Sequence, residues 1–475
     1  MLDNGANPPP GVPGALRNRL LDDTLLVFLS DTHIGGQAGS EIFQSAAELT
    51  ALLQDLNHHQ GPVEFVLAGD FLDLLRMGDA GRSEERVTAT ITRPDYQELF
   101  AALRTFTQTP GHRVVYLAGN HDAEVWANTR IQRSLIEAGL VDDFALSYTA
   151  SFNSLPEQLI YCEHGNQFDR SNTVVDYANP LDTPVGAHVV TELVRPIGPG
   201  AAIFGGLDLR ELSYVFPLAA IPDWIAGRIF YQFLGMLLRW LLGPLVVVYA
   251  AYEGLAALVH TLGGSLALRP VFLQLSYVLV LLLLAAVVVF LISRRMARQA
   301  ASSLFTLFPG AAPGPQRYRE DVAIRQLLEH DRPPPMAGAV APLEIAVFVS
   351  GHTHAPAMSK LRRADGRETV IVNTGCWLRQ LRPVEARLGT PPVFVPVFVH
   401  THVRIRAGQG EVEVEVWEHP KPAERPLPWI ERAAIAGRMP SQPPATAEPR
   451  LAARQVSAQG AREPRRMPDG RQPGG

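Results

Sequence analysis

Abundant cysteine, an excess of basic charge and internal repeats are all missing from this chain. Its 475 residues include only two cysteines, Cys162 and Cys376. Both fall in apolar strand-type runs, so they read as small packing residues in a reducing compartment rather than as a disulfide framework. The 42 basic residues are outnumbered by 47 acidic ones, a formal net charge of −5. That excludes the global basic character that recruits nucleic acid, and no nucleic-acid partner is expected. The opening stretch, MLDNGANPPPGVPGALRNRL, lacks the apolar core of a secretory signal. Its Pro and Gly content reads as a flexible lead-in over residues 1–20. No unit of about 20–50 residues recurs, which sets aside solenoids and propellers.

Against these absences stand five short clusters of Asp, Asn and His, each directly after an apolar β-type run. LLVFLS leads into Asp31 and His33, VEFVLAG into Asp70 and Asp73, and VVYLAG into Asn120, His121 and Asp122. LIYCE leads into His164, and IAVFVSG into His352 and His354. Hard oxygen and imidazole donors are thereby placed at the C-terminal ends of buried strands, where ligands collect in open α/β sheets. Converging carboxylate, amide and imidazole donors are what a pair of divalent ions requires. The strand-type runs alternate with helical patterns. In DYQELFAALRTFTQ, for example, Tyr96, Leu99, Phe100, Leu103 and Phe106 form an apolar stripe that reads as core. Later segments alternate as β-hairpins, one turning at Gly408-Gln-Gly410. βαβ units followed by hairpins predict a two-sheet α/β sandwich.

Read in order, D-x-H, G-D-x-x-D, G-N-H-D, His-Gly and G-H-x-H resemble the calcineurin-like metallophosphoesterase superfamily, over residues 25–170 and 343–378. The resemblance implies a four-layer α/β/β/α sandwich with two metals at the strand ends. It implies that Asp31, His33 and His354 bind the first metal. Asp70 would bridge both, and Asn120, His164 and His352 would bind the second. His121 is assigned to the leaving group, as proton or hydrogen-bond donor, with Asp122 holding its imidazole, and Asp73 orients the ligands. The cofactor is then two divalent ions, Mn²⁺ favoured, with Fe²⁺ or Zn²⁺ also compatible with a thiolate-free site. Asp169 has an even chance of a similar orienting part. His58, His59, His400 and His402 lie outside the pattern and read as surface or strand residues, and Asn373 as a turn former or substrate contact.

Between the two halves lies an apolar insertion. Residues 271–292 form an uncharged run long enough to span a bilayer, and 237–261 is a second candidate carrying Glu253. The expectation is a four-layer sandwich with an inserted transmembrane helical hairpin. Its parts are a phosphoesterase domain over 21–170 and 343–419, a cap at the membrane interface over 171–235, the hairpin over 236–293, a connecting segment over 294–342 and a disordered Pro/Arg-rich tail over 420–475. Both halves must share one site, so the crossings must be even in number, and Arg294, Arg295 and Arg298 beside the second run place the catalytic domain in the cytoplasm. The expected activity is a membrane-anchored phosphohydrolase acting on phosphoester or pyrophosphate bonds through metal-activated hydroxide. Its partners would be membrane lipids and a phosphorylated substrate, a lipid-linked one favoured by location; no oligomeric state is implied.

Within the superfamily, 164–169 and 372–377 resemble the UDP-diacylglucosamine hydrolase branch. That branch has Arg where this chain has His121 and lacks an inserted hairpin, so its substrate is not carried over. Alternatives are a phosphoprotein or cyclic-nucleotide phosphoesterase with the hairpin as anchor only, and a non-catalytic metal-binding membrane scaffold.

Overall fold

Alternation along the buried strands decides the layering. A computed structural model describes residues 14–263 and 319–458, apart from short stretches within them, and scattered residues between 274 and 299. In β2 (Leu25–Leu29), Leu25, Val27 and Leu29 pack on the helices Ala46–Asn57 and Gln97–Gln108. Leu26 and Phe28, on the opposite face, meet a second sheet. A strand buried on both faces needs apolar residues at every position, which is why LLVFL is continuous rather than alternating.

One sheet runs from β1 (Ala15–Leu20) through β6 (Ser147–Phe152), β7 (Leu159–Glu163), β10 (Ile345–Ser350) and β12 (Glu368–Asn373) to β11 (Ala357–Arg362). The other holds β16 (Arg450–Ala458), β15 (Glu411–Glu418), β14 (Val393–Ala407), β2, β3 (Val63–Ala68), β4 (His112–Leu117) and β5 (Asp143–Ala145), with β13 (Trp377–Val384) paired to β14. A small ribbon of β8 (Ala202–Ile203) and β9 (Leu207–Asp208) lies in the insertion. Strands β2 to β5 are mutually parallel, as are β7, β10 and β12. Between the sheets lie Val66, Val115 and Leu117 from one side and Ile160, Cys162, Val347, Val349 and Val372 from the other. The outer face of the first sheet is covered by helix Arg319–Glu329 through Ile324 and Leu328. The four α/β/β/α layers are therefore present.

The transmembrane hairpin is not supported. No helix among the described residues is long and apolar enough to cross a membrane. Helix Gly243–Thr261 carries Pro244, Glu253, His260 and two tyrosines, and much of the 271–292 run lies outside the described residues. The integral-membrane, cytoplasm-facing assignment rested on that hairpin and falls with it. The aromatic segment placed at a membrane interface is instead the helix Ile221–Leu237. Its Phe230 and Tyr231 are buried against Val393 and Val395 of β14, and its Trp224 against Leu381 and Phe394.

The tail departs from expectation too. Within 420–475, Trp429–Ala434 is helical and β16 completes the second sheet. EVEVEVWE puts acids on one face of β15, and Arg450 and Arg454 of β16 pair with Glu418 and Glu413 across the ladder. Cross-strand charge complementarity of this kind recruits an arginine-rich strand. Both cysteines are buried and free, as packing residues would be.

Three histidines at the β14–β15 end are also buried. His400 stacks on Trp377 at 5.1 Å and hydrogen-bonds Ser45 at 2.7 Å, while His402 Nδ1 lies 3.1 Å from His419 Nε2. Arg404 Nε donates to His402 Nε2, so that ring is neutral. Burial, then neighbouring cations, pull His400 down to about 3 and His419 to about 4, and hold His402 well below the usual imidazole range. An unfolded chain takes up protons at these positions below its ordinary pKa of about 6.5. Stability due to the neutral rings is therefore complete above that pH and is lost as pH falls toward 4. We predict that His400→Phe flattens the decline in denaturant midpoint between pH 7 and pH 5 by about 2 kcal/mol of unfolding free energy relative to wild type. Parallel curves would show that His400 is protonated in the folded state.

Candidate metal centre

All five motifs arrive at one end of the two sheets, because β2, β3, β4, β7 and β10 end there. The backbone turns sharply as it leaves each strand. Asp31, His33, Asp70, His352 and His354 take φ of 54°, 51°, 53°, 64° and 56°. Only two other described non-glycine residues have positive φ, Asp331 and Leu388. Left-handed backbone costs a side-chain-bearing residue about 1–3 kcal/mol and persists where the surroundings enforce it. Here it curls carboxylates and imidazoles inward. The glycine before a motif clears the space they enter: a Cβ on Gly69 would overlap His164, and one on Gly119 would overlap Asp70.

Asp31 Oδ1 lies 3.2 Å from His354 Nε2 and 3.8 Å from His33 Nε2. The two imidazole nitrogens are 3.2 Å apart. Asp70 Oδ2 lies 3.7 Å from His33 Nε2 and 3.3 Å from His164 Nε2, so this one oxygen faces both halves of the cluster. The protein occupies the other oxygens. Asp70 Oδ1 accepts from the His121 backbone N–H at 2.8 Å, and Asp31 Oδ2 accepts from the His352 N–H at 2.9 Å and from the Ser30 hydroxyl. Asp31 Oδ1, Asn120 Oδ1 and His164 Nε2 are buried without hydrogen-bond partners. Unsatisfied buried donors and acceptors are costly. Oxygen and nitrogen atoms at such spacings match the polyhedron edges around a dication with bonds of about 2.1 Å. The residues therefore fit divalent metal, and among the described residues three groups, Asp31/His33/His354, Asp31/Asp70/His164 and His33/Asp73/His121, each converge tightly enough to hold one.

Two expected ligands stand differently. Asn120 turns its amide Nδ2 toward Asn172 Oδ1 at 3.5 Å, which aims Oδ1 the other way. His352 stays outside the converging groups: its ring lies 5.4 Å from that of His164, and its Nε2 is 3.3 Å from Asp169 Oδ2. Asp169 also accepts from Asn172 Nδ2 at 2.7 Å, so one acidic loop residue touches the surroundings of both.

The partner of His121 is Asp73, not Asp122. Asp73 Oδ1 lies 3.0 Å from His121 Nδ1, and its Oδ2 is 3.5 Å from His33 Nδ1. Asp122 faces inward, accepting from the backbone N–H of Phe71 and Gly119 and from the Tyr116 hydroxyl. Neighbours in sequence point to opposite sides when the chain turns between them. Asp73 is further ion-paired to Arg76 at 3.0 Å, a contact that no motif announces. Asn373 bonds its own turn, donating to Gly351 O and accepting from Gly375 N–H.

Charge in the cluster is shared between acids and imidazoles. Burial opposes ionisation of Asp70, but His164, His121 and His33 overcome it and hold the carboxyl low. Burial likewise disfavours charge on His33, but Asp31, Asp73 and Asp70 push it up to about 10; Asp70 raises His164 to about 9 against the same penalty. Burial, with the Asp70 charge, raises Asp122 to about 6.

Residues 24–190 match the family model of the calcineurin-like phosphoesterases. No curated protein matches the chain. The match to that family is confined to residues 24–190, and the fold brings His352 and His354, beyond the matched residues, beside Asp31. The family points to metal-dependent phosphoester hydrolysis; the UDP-diacylglucosamine hydrolase branch gains no support.

Because ligation needs the unprotonated imidazole, loading this site must displace the protons on His33 and His164. We predict release of about two protons per chain when the metal-free protein binds Mn²⁺ at pH 7.5. Titration calorimetry in buffers of different ionisation enthalpy measures this directly. Heats independent of buffer would show that these imidazoles are already neutral.

Proposed function

We propose that the protein is a dinuclear metal-dependent phosphohydrolase acting on phosphomonoester, phosphodiester or pyrophosphate bonds. The observation that carries this reading is a convergence of metal-type donors: Asp31 Oδ1, Asn120 Oδ1 and His164 Nε2 are buried without hydrogen-bond partners, close to His33, His354 and Asp70. In this reading Asp31, His33 and His354 would hold one ion and Asp70, Asn120 and His164 the other, with His352 nearby on Asp169. When bound, two dications supply hydroxide near neutral pH and neutralise phosphoryl charge. Mn²⁺ is the proposed occupant, and Fe²⁺ or Zn²⁺ suits the same thiolate-free donors.

The chain's own residues do the rest. His121 rests one ring nitrogen on Asp73, which keeps the imidazole oriented. The opposite nitrogen, Nε2, is then the one free to protonate the departing oxygen. Asp122 ties the loop after β4 to the loop after β3 through the Phe71 and Gly119 amides, so the donor and the bridging carboxylate move as one piece. The substrate is defined here by its phosphoryl group alone. A lipid-linked substrate was favoured by membrane location, and that argument no longer stands.

The test is hydrolysis of bis-p-nitrophenyl phosphate and p-nitrophenyl phosphate by metal-stripped protein with and without restored Mn²⁺. We expect turnover only with metal. It should fall beyond detection in Asp70→Ala, and His121→Ala should lower kcat only about 10-fold on these esters, whose p-nitrophenolate departs with little protonation. The ratio of diester to monoester rates separates the substrate classes. Stoichiometric metal binding with no turnover on either ester or on a nucleoside diphosphate would overturn the reading in favour of a binding protein.

A further inference from the structure

Arg76 sets a guanidinium directly against the carboxylate that holds His121. It follows Asp73 on a single turn of 3-10 helix, Leu74–Arg76, and is 8% exposed. The Asp73 carboxylate is divided between its neighbours: Oδ1 serves His121, while Oδ2 lies 3.0 Å from Arg76 Nε and 3.5 Å from His33 Nδ1. The Arg76 guanidinium is a fixed positive charge beside the Asp73 carboxylate. It also carries a second contact. Its Nη2 donates to Ser213 Oγ at 3.2 Å, across 137 residues of chain.

Ser213 belongs to the insertion, on the turn Leu209–Tyr214. That turn is seated on the phosphoesterase sheet. The Tyr214 hydroxyl donates to Glu41 O at 3.2 Å and accepts from Gln44 at 3.0 Å, and Arg379 of β13 lies 5.2 Å over its ring. Val215 bridges to Leu381, and the Phe216 N–H donates to Leu381 O at 3.0 Å. Helix Ile221–Leu237 then fastens the segment to β13 and β14 through Trp224, Phe230 and Tyr231.

We infer that Arg76 is a positioning residue for the phosphoryl-transfer reaction, linking the seated insertion to His121 through the contacts Ser213–Arg76–Asp73–His121. The inference rests on the hydrolase reading above. Removing Arg76 leaves the Asp73 carboxylate free to rotate toward His33 and takes away the restraint that keeps Oδ1 on His121 Nδ1. Arg76 contacts Asp73, which in turn contacts His121, so its effect passes through the proton donor. That predicts a signature which general loss of packing would not give. Departure of p-nitrophenolate needs little protonation, whereas departure of phenolate needs much more, so damage relayed through His121 must grow as the leaving group worsens.

The experiment compares wild type, Arg76→Ala, Arg76→Lys, Ser213→Ala, His121→Ala and the Arg76→Ala/His121→Ala double variant, all Mn²⁺-loaded, on p-nitrophenyl phosphate and phenyl phosphate. Arg76→Ala should lower kcat for phenyl phosphate about 10- to 100-fold, with a several-fold smaller loss on p-nitrophenyl phosphate, little change in KM and unchanged metal stoichiometry. In the double variant the loss should match His121→Ala alone, since residues acting as one unit are not additive. Lysine should restore part of the phenyl phosphate rate, and Ser213→Ala should show the same leaving-group dependence at smaller size. Equal fractional losses on both substrates, or losses that multiply with His121→Ala, would overturn the inference and make Arg76 a packing residue. Should Arg76→Ala not fold, Ser213→Ala decides: a leaving-group-dependent loss supports the relay, and wild-type rates on both substrates refute it. Absence of turnover in the wild type would count against the hydrolase reading instead.

Discussion

Asp70 has one carboxylate oxygen held by the chain and the other left facing imidazoles, and the site is organised around that division. The His121 amide takes Oδ1, leaving Oδ2 between His33 and His164. The same partition recurs at Asp31, where backbone and Ser30 hold Oδ2 and leave Oδ1 unpartnered. Burying a carboxylate costs several kcal/mol unless something compensates it. In the protein alone, protonated imidazoles do so. The arrangement leaves Asp31 Oδ1, an oxygen a dication would take, without a committed hydrogen bond.

Such a partition requires the backbone to deliver side chain and amide at the same point from different strands. This explains the left-handed turns at Asp31, Asp70 and His352, and the glycines at 69 and 119. An extended backbone at residue 70 would carry its carboxylate along the strand rather than across the sheet end. The cost is borne by a core buried on both sheet faces, from Leu26 and Phe28 to Val347 and Val349. The rigid layers make a strained rim affordable, and the rim in turn brings together residues as distant in sequence as Asp31 and His354.

How much of this was legible in the chain follows from the range of each interaction. Five apolar runs ending in polar clusters were visible because strand burial leaves a continuous pattern, and Asp31, His33, Asp70, His164 and His354 were found on that signal. The pairing of His121 was misread because Asp122 is its sequence neighbour and Asp73 is not; only the turn geometry reveals which carboxylate reaches the ring. Arg76 and Asn172 were missed for a related reason, since a lone arginine after a 3-10 turn and an asparagine in a polar loop look like any solvated residue. The tail was called disorder from its Pro and Arg content, yet Arg450 and Arg454 have carboxylates waiting on β15. Composition cannot register a partner strand's charges. Hydropathy misled in the opposite direction, since Trp224, Phe230 and Tyr231 suit a bilayer surface and a protein core equally well.

Histidine makes the last point most sharply, because the same side chain serves two opposed purposes in one domain. At the strand ends, His33 and His164 are buried among carboxylates, and proximity to Asp70 outweighs the burial penalty, so both hold a proton at neutral pH. At the β14–β15 end, His400, His402 and His419 are buried among one another with Lys421 and Arg404, so burial and like charge act together and the rings stay neutral. Neither behaviour follows from burial alone; in these five rings the sign follows the charge of the surrounding groups, whereas burial still holds His354 down beside Asp31. His400 stacks on Trp377 and His419 lies tilted against it, and the Trp377 backbone N–H donates to Asp31 O at 3.1 Å. A proton gained there would loosen the wall behind Asp31, while a proton lost from His33 or His164 prepares the site for metal. Acidification therefore acts on both regions in the same direction, against the loaded, folded site.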